Sequence, residues 1–321
     1  MKLLPLFSEP TQQIAANLLE SLSPSQLSVW NDCEQRWEYA YVKKYHPRRG
    51  RVVAFEKGSY IHEIMHYYYS LVREFGLGNE IVLQSVQERF KQDLMNYMDE
   101  CNSIGIPIDM NFYRDVTKTI VDYIQLQSPV IDKGMTEILV EHHLEYVYDG
   151  RLFHGFADLM YKKEGKWHIR DHKSGAKNTY ETKYVERVEQ LLFYGTIFYK
   201  LTGEVAIPEI NFIHSSPPTK SRVGTVIFGL FEASHTASSY ETYWNHLLRV
   251  HEKQKSSQVE RNYSACKYCA YYPICRADLR RYSAENIIKY RYGPIQDSDS
   301  TSSGVDSTGF TLNLGGQRYH Y

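Results

Sequence analysis

Residues 137–173 read EILVEHHLEYVYDGRLFHGFADLMYKKEGKWHIRDHK. Three stretches within them, Glu137 to Tyr148, Arg151 to Tyr161 and Lys166 to Lys173, are rich in β-branched and aromatic residues, which suit a pleated, half-buried surface. Asp149-Gly150 and Glu164-Gly165 join them and are suited to two-residue hairpin turns. A three-stranded antiparallel meander is expected. The turn positions then fix the register: a turn at 164 and 165 sets Asp158 opposite Asp171, and one at 149 and 150 sets Glu141 opposite Asp158. Three acids thus form a row on one face, with neighbouring Cβ atoms about 4.5–5.5 Å apart. Lys173, two residues beyond Asp171, points to the same face. A solvated polar face is one reading of such a row. Directly opposed carboxylates repel, however, and a divalent cation among oxygen ligands, Mg²⁺ or Mn²⁺, relieves that repulsion.

Outward from the meander the texture is helical. Ser23-Pro24-Ser25-Gln26 is an S-x-x-Q capping box with Pro at the first helical position, ahead of Leu27, Trp30, Cys33, Trp37 and Tyr41 at helical spacing. A helix of about 20 residues is expected there. A second amphipathic helix follows Gly58, through Ile61, Met65, Tyr68 and Val72, and residues 77–127 read as a helical insertion. After the meander come a helix from about Glu181 to Leu201 stopped by Gly203, strands at Glu209 to His214 and Thr225 to Phe231, and a helix across Tyr240 to Gln254. Residues 296–317 are rich in Ser, Thr, Gly and Asp and read as the core of a flexible tail.

Short motifs flank the acids. His154-Gly155-Phe156-Ala157-Asp158 followed by Asp171-His172-Lys173 resembles the G-x-x-D and (D/E)-x-K core of the PD-(D/E)XK nuclease superfamily. The Pro of the family's name is missing, and Asp opens the second motif in place of Glu. Gly58-Ser59-Tyr60-Ile61-His62 resembles the G-x-x-x-H helix of RecB-type nucleases, and Gln190-Leu191-Leu192-Phe193-Tyr194 resembles their Q-x-x-x-Y motif. The resemblance covers about Leu22 to Arg276. It implies an α/β restriction-endonuclease-like core, a mixed central sheet flanked by helices. It also implies a metal site of His62, Asp158, Asp171 and the backbone carbonyl of His172, with Lys173 as the catalytic lysine acting beside Asp158 and Asp171. Gln190 and Tyr194 would position the strand, and Glu141 is a further candidate beside the metal, on register alone.

The cysteines form a second constellation. Cys266, Cys269 and Cys275 give C-x2-C-x5-C, and Cys33 lies far upstream. By chemistry alone four thiols admit zinc or an iron–sulfur cluster. The resemblance points to the second: RecB-type nucleases with an iron-staple domain, including the AddB subunit and CRISPR-associated adaptation nucleases, carry one-plus-three cysteines around a 4Fe-4S cluster. Cys101 has no partner spacing and reads as an ordinary thiol. A competing motif, His62-Glu63-Ile64-Met65-His66, is a literal HExxH, the zinc-protease signature. That reading uses neither the acid row nor Lys173 nor the cysteines.

The expected organisation is an N-terminal clasp segment (1–57), a nuclease core with its insertion (58–255), a cysteine segment (256–295) and a tail (296–321). The expected activity is metal-dependent exonucleolytic hydrolysis of DNA, single-stranded or end-bearing duplex, in recombination, repair or phage DNA processing. The alternatives are a nuclease subunit working with a separate helicase, recombination protein or integration complex, and a relative that binds DNA without cutting it. No Walker A sequence occurs, so an intrinsic ATP-driven helicase is excluded. No apolar run approaches the ~18 residues of a membrane span, and no cleavage pattern follows Leu3-Leu4-Pro5-Leu6-Phe7, so a cytoplasmic protein is expected.

The charge total does not contradict DNA binding. With 37 Lys+Arg against 38 Asp+Glu the 321 residues sum to −1, which excludes a uniformly basic protein. Yet Arg36 to Lys57 holds seven basic residues against two acids, and Arg249 to Arg281 eight against three. Lys43, Lys44, Arg48, Arg49 and Arg51 are candidates to meet phosphate.

Overall fold

The computed structural model describes residues 21–47, 53–104, 110–175, 184–214, 225–227, 235–256, 258–279 and 292–293. Its main elements are β1 (Ser21–Leu22), α1 (Pro24–Asp32), α2 (Val53–Phe75), α3 (Glu80–Ile104), α4 (Met110–Asp122), β2 (Thr136–Tyr148), β3 (Arg151–Lys163), β4 (Lys166–Gly175), α5 (Tyr184–Thr202), β5 (Ile207–His214), β6 (Thr225–Ile227), α6 (Ala237–Lys255) and α7 (Tyr272–Leu279). The tail, Arg48, Arg49, Arg51 and the side chain of Cys101 lie outside the described residues. The chain forms two compact units, one from Met1–Arg48, Glu145–Gly155 and Asn245–Ser302, the other from Arg49–Leu144, Phe156–Trp244 and Ser303–Tyr321.

In the first unit the Ser23 hydroxyl accepts the Gln26 amide and Pro24 opens α1, as the capping box implies. The expected long helix does not form. It stops at Cys33, whose backbone is extended (φ −171°, ψ 117°), and restarts as short turns over Glu34–Trp37 and Glu38–Val42. The reason is a distant partner. Asn262 Nδ2 donates to the Asp32 carbonyl (2.9 Å), the Gln35 amide to the Glu260 carbonyl (3.0 Å), and the Glu260 amide to the Glu34 carboxylate (2.9 Å). Satisfying backbone groups across this break replaces the helical bonds lost at Cys33. Beyond it Tyr39 packs with Tyr271 and Ile274.

The second unit is built on a mixed sheet. Glu164 and Gly165 there (φ 52° and 77°), like Asp149 and Gly150 in the first unit (φ 50° and 73°), are paired positive-φ residues, the conformation a two-residue hairpin turn requires. The Glu164-Gly165 turn sets Leu159 opposite Arg170 and Lys163 opposite Lys166. On its other edge β4 pairs in parallel with β5, Arg170 opposite Glu209 and His172 opposite Asn211, and β5 pairs antiparallel with β6. Helix α2 presents Ile61, Ile64, Met65, Tyr68 and Val72 to a core shared with Val82, Val86, Val116, Ile120, Leu159 and Tyr161. Within the stretch 77–127, Val82, Val86, Phe90, Tyr97, Tyr113, Val116, Ile120, Tyr123 and Ile124 are thus part of this core. Among the described residues no helix is long and apolar enough to cross a membrane.

One face of β4 carries a buried charge network. Arg170, 0% exposed, donates to Glu209 (2.6 Å), Asp132 (2.6 Å), the Tyr161 hydroxyl (2.8 Å) and the Tyr69 hydroxyl (3.2 Å). Tyr69 and Ser128 donate to the other Asp132 oxygen, and His168 lies 2.7 Å from Glu209. Burial would raise the Glu209 carboxyl, but Arg170 and its other donors hold it at about 2.

On α5, Gly195 meets Tyr240. A Cβ built there would lie 2.4 Å from the Tyr240 hydroxyl, which is anchored by His235 Nδ1 (3.0 Å) and the Ala206 carbonyl (3.2 Å). Alanine gains up to about 1 kcal/mol in helix propensity, whereas overpacking costs about 1–3 kcal/mol. Gly195→Ala is expected to lower stability by about 1–2 kcal/mol, read from the urea midpoint; an unchanged or raised midpoint would show that Tyr240 yields freely.

Candidate metal centre

Helix α2 and strands β2, β3 and β4 bring the acids together within the second unit. On β3 the outward positions Phe156 and Asp158 alternate with buried Gly155, Ala157 and Leu159. An Asp158 oxygen accepts the His172 amide at 2.6 Å and lies 3.3 Å from His62 Nδ1. Two helical turns after His62 on the same stripe of α2, Tyr69 stacks on the His172 ring (centroids 5.5 Å, 18°). One helix face thus packs the sheet and delivers the histidine to the acid. Glu141 sits in the left-handed region at φ 45°, a conformation that costs a non-glycine residue about 1–3 kcal/mol and is characteristic of a bulged strand. His62, Glu141 and Asp158 each place one ligand atom so that all lie within 4.8 Å of one another.

The Leu159–Arg170 pairing keeps the register that sets Asp171 opposite Asp158, but Asp171 lies outside the compact trio. One oxygen accepts Lys173 Nζ at 2.7 Å, and the other is buried with no protein hydrogen-bond partner among the described residues. It is Glu141, the register-only candidate, that completes the compact trio. Lys173 also donates to Gln190 Oε1 (3.2 Å), whose amide donates to the Tyr194 hydroxyl (3.1 Å), one turn along α5. The His172 side chain faces the opposite way. Its Nδ1 accepts from Asn211 Nδ2 (3.1 Å), which also donates to Tyr123 (2.9 Å), and burial pushes the imidazole down to about 3.

The electrostatics are those of a site short of positive charge. Burial would raise Asp158, yet its bond to His62 and the charges around it hold it at about 2; His62 is raised, Asp158 outweighing the burial that lowers it. Burial and then the Asp158 charge push Glu141 up to about 7. Burial also raises Asp171, with Lys173 opposing and Asp158 adding. The half-buried Glu141 and the buried Asp171 are thus costly to ionise beside a third acid that stays charged, and one carboxylate oxygen has no protein donor among the described residues. This donor set fits a hard divalent cation with oxygen and imidazole ligands.

A pH dependence follows for metal-free protein. Glu141 is protonated more readily folded than unfolded, so stability falls as pH rises from its ordinary 4.5 through about 7. Glu141→Gln is expected to remove the Glu141 share of that descent, while Glu63, which burial also pushes up to about 7, keeps its own, and Mn²⁺ is expected to raise Tm more at pH 8 than at pH 6, because ligands bind deprotonated. Parallel Tm–pH curves for the two proteins without metal would count against this assignment.

The HExxH pattern does not assemble a zinc site. Glu63 is held by Arg89 (2.5 Å), which also binds Asp93, and His66 is lowered by burial and by Arg73, outside the trio. In the first unit Cys33, Cys266, Cys269 and Cys275 are free thiols lining one pocket with Arg36 and Arg261. The Asn262 amide donates to Cys33 Sγ at 3.4 Å. No three of these sulfurs lie within 4.8 Å of one another, wider than the spacing of a closed tetrathiolate zinc site with Zn–S of about 2.3 Å.

The sequence matches the PD-(D/E)XK nuclease superfamily over residues 21–276. Among solved structures, a "Putative exonuclease" from Eubacterium rectale superposes with a TM-score of 0.51 at 14% identity, covering 84% of this chain and 94% of that one. The structure of SSO0001 aligns with a TM-score of 0.30 at 14% identity over 59% of this chain and 94% of that one, too little to support a comparison. No curated protein matches the sequence.

Proposed function

The chain belongs to the PD-(D/E)XK nuclease superfamily, and we propose that it is a metal-dependent exonuclease of the RecB type that hydrolyses DNA phosphodiester bonds. The observation that carries this reading is the trio of His62, Glu141 and Asp158 beside Asp171, whose free oxygen and lysine partner complete an acid–lysine site. His62, Glu141, Asp158, Asp171 and the His172 carbonyl would hold Mg²⁺ or Mn²⁺. Such an ion, when bound, activates water and polarises a phosphoryl oxygen.

The chain's own groups do the rest. Lys173 orients the attacking water and stabilises charge gathering on the phosphate, with Asp171 and Gln190 fixing its ammonium from two sides. Tyr194 holds Gln190 in turn. His62 keeps Asp158 ionised and aimed at the site. Product mapping on end-labelled DNA with Mg²⁺ or Mn²⁺ tests the exonuclease reading: short products released from one end support it, and internal cuts in circular DNA exclude it.

A 4Fe-4S cluster held by Cys33, Cys266, Cys269 and Cys275 belongs to the same proposal. Its support is the shared pocket of four free thiols with Arg36 and Arg261 beside them, where cationic groups offset thiolate charge. The cluster would tie the N-terminal helix to residues more than 200 positions later, closing a long loop. Anaerobically purified protein should contain stoichiometric iron and acid-labile sulfide, both lost in Cys33→Ser; zinc without iron would refute the cluster.

A further inference from the structure

Next to the acids lies an aromatic surface with no role in the hydrolysis described above. Phe156, two residues before Asp158 on the outward face of β3, is 53% exposed. It stacks flat on His143, centroids 4.2 Å apart and planes 7° from parallel. His143 lies on β2 two residues after Glu141, and Phe156 lies on β3 two residues before Asp158, so along β3 the ring pair sits one outward step from Asp158. Strand rise makes that step about 6.5–7 Å, comparable to the nucleotide repeat of an extended single strand.

A cross-strand pair explains why the two rings touch. It does not explain a large apolar ring left half in water on the face that carries the metal-site acids. Elsewhere on β3 the large apolar residues Phe153, Leu159, Met160 and Tyr161 are buried. The parallel stacking also holds the Phe156 ring in one orientation, as a docking face requires.

We infer that Phe156, braced by His143, is a stacking platform for an unpaired base of the strand being cut, the base one nucleotide from the phosphate at the acids. The inference rests on the nuclease reading above and deepens it: the strand, single or freed at an opened duplex end, is held through an unpaired base with little regard to that base's identity. Every base has a π-face, whereas bases paired in a duplex are already stacked on their neighbours. Phe156 is then a positioning residue for the substrate and takes no part in the chemistry.

The test compares wild type with Phe156→Leu and Phe156→Trp on a labelled single strand, on the same strand with one abasic nucleotide moved along it, and on a blunt duplex. Base stacking on an aromatic side chain predicts a KM for the single strand about tenfold higher in Phe156→Leu, with kcat within about twofold. Phe156→Trp behaves as wild type, and its added fluorescence is quenched when single-stranded DNA binds. One abasic position weakens binding to wild type about tenfold and leaves Phe156→Leu unaffected. If wild type cuts and Phe156→Leu matches it in KM on every substrate, the platform is excluded and the nuclease reading stands. If wild type cuts no DNA with Mg²⁺ or Mn²⁺, the nuclease reading fails and the platform with it. Equal melting temperatures of the three proteins separate these outcomes from misfolding.

Discussion

Asp158→Asn lowers the rate of DNA cleavage by about 10³-fold or more and leaves the fold in place. The substitution keeps an oxygen that can accept the His172 amide, now 2.6 Å from the carboxylate, so the strand geometry has no reason to change. What disappears is the charge that pairs with His62 and that a cation would share with Glu141. A lost electrostatic contact to developing charge costs about 10²–10³ in kcat on its own, and weakened metal binding adds to it. Three decades correspond to about 4 kcal/mol of barrier. Lys173→Met gives a loss of similar size while metal affinity stays near that of wild type if, as proposed, Lys173 acts on substrate and is not a ligand. Cleavage within tenfold of wild type in both variants would show that the chemistry lies elsewhere.

Arg170→Met has the largest effect on stability. Its guanidinium is fully buried between Glu209 and Asp132, and removing one partner from such a cluster leaves uncompensated charge at a cost of about 3–5 kcal/mol. Against a total of about 5–15 kcal/mol this brings the protein close to unfolding, a larger loss than that expected for Gly195→Ala. The pH profile identifies the cause. Glu209 is depressed to about 2 from its ordinary 4.5, so its stabilisation is present above pH 4.5 and lost as pH falls toward 2. In wild type this contributes an acid limb, and in Arg170→Met the Glu209 part of it disappears. Urea unfolding between pH 3 and pH 7 reads both, and a variant within 1 kcal/mol of wild type would show that water has access to the network.

The parts legible in the sequence were those set by local chemistry. Two positive-φ dipeptides fix two turns, and the turns fix which residues oppose one another, which is how Glu141 and Asp158 could be paired across strands. The capping box at Ser23 and the stop at Gly203 are local in the same sense, Gly203 adopting φ 74° at the helix end. Features set by distant partners were not legible. Nothing around Cys33 announces a helix break, because the groups that stabilise it belong to residues 260–262. Arg170 alternates with its neighbours like any strand residue, and its partners Asp132 and Glu209 lie 38 and 39 residues away.

Glu141 illustrates the same division within the site. Register placed it opposite Asp158 but gave no reason to rank it above Asp171. Its left-handed backbone and the approach of His62 from α2 make it the third member of the compact trio, and glutamate carries no propensity for that conformation. Phe156 carried no such signal, because Leu152 and Met160 are also large apolar residues at the same parity of the strand, and only the structure shows that Phe156 is the exposed one. The HExxH pattern was misleading for a physical reason: of its two histidines His62 meets the acids, while Glu63 is taken by Arg89.

The measurement that bears most directly on the central claim is cleavage of labelled single-stranded DNA by protein stripped of divalent ions and then titrated with Mn²⁺. The arrangement of His62, Glu141, Asp158, Asp171 and Lys173 predicts no cleavage without metal, saturable activation as the ion is added, and no activation of Asp158→Asn over the same range. Cleavage that persists in chelator, or DNA left intact at every Mn²⁺ concentration by folded wild-type protein, would contradict it.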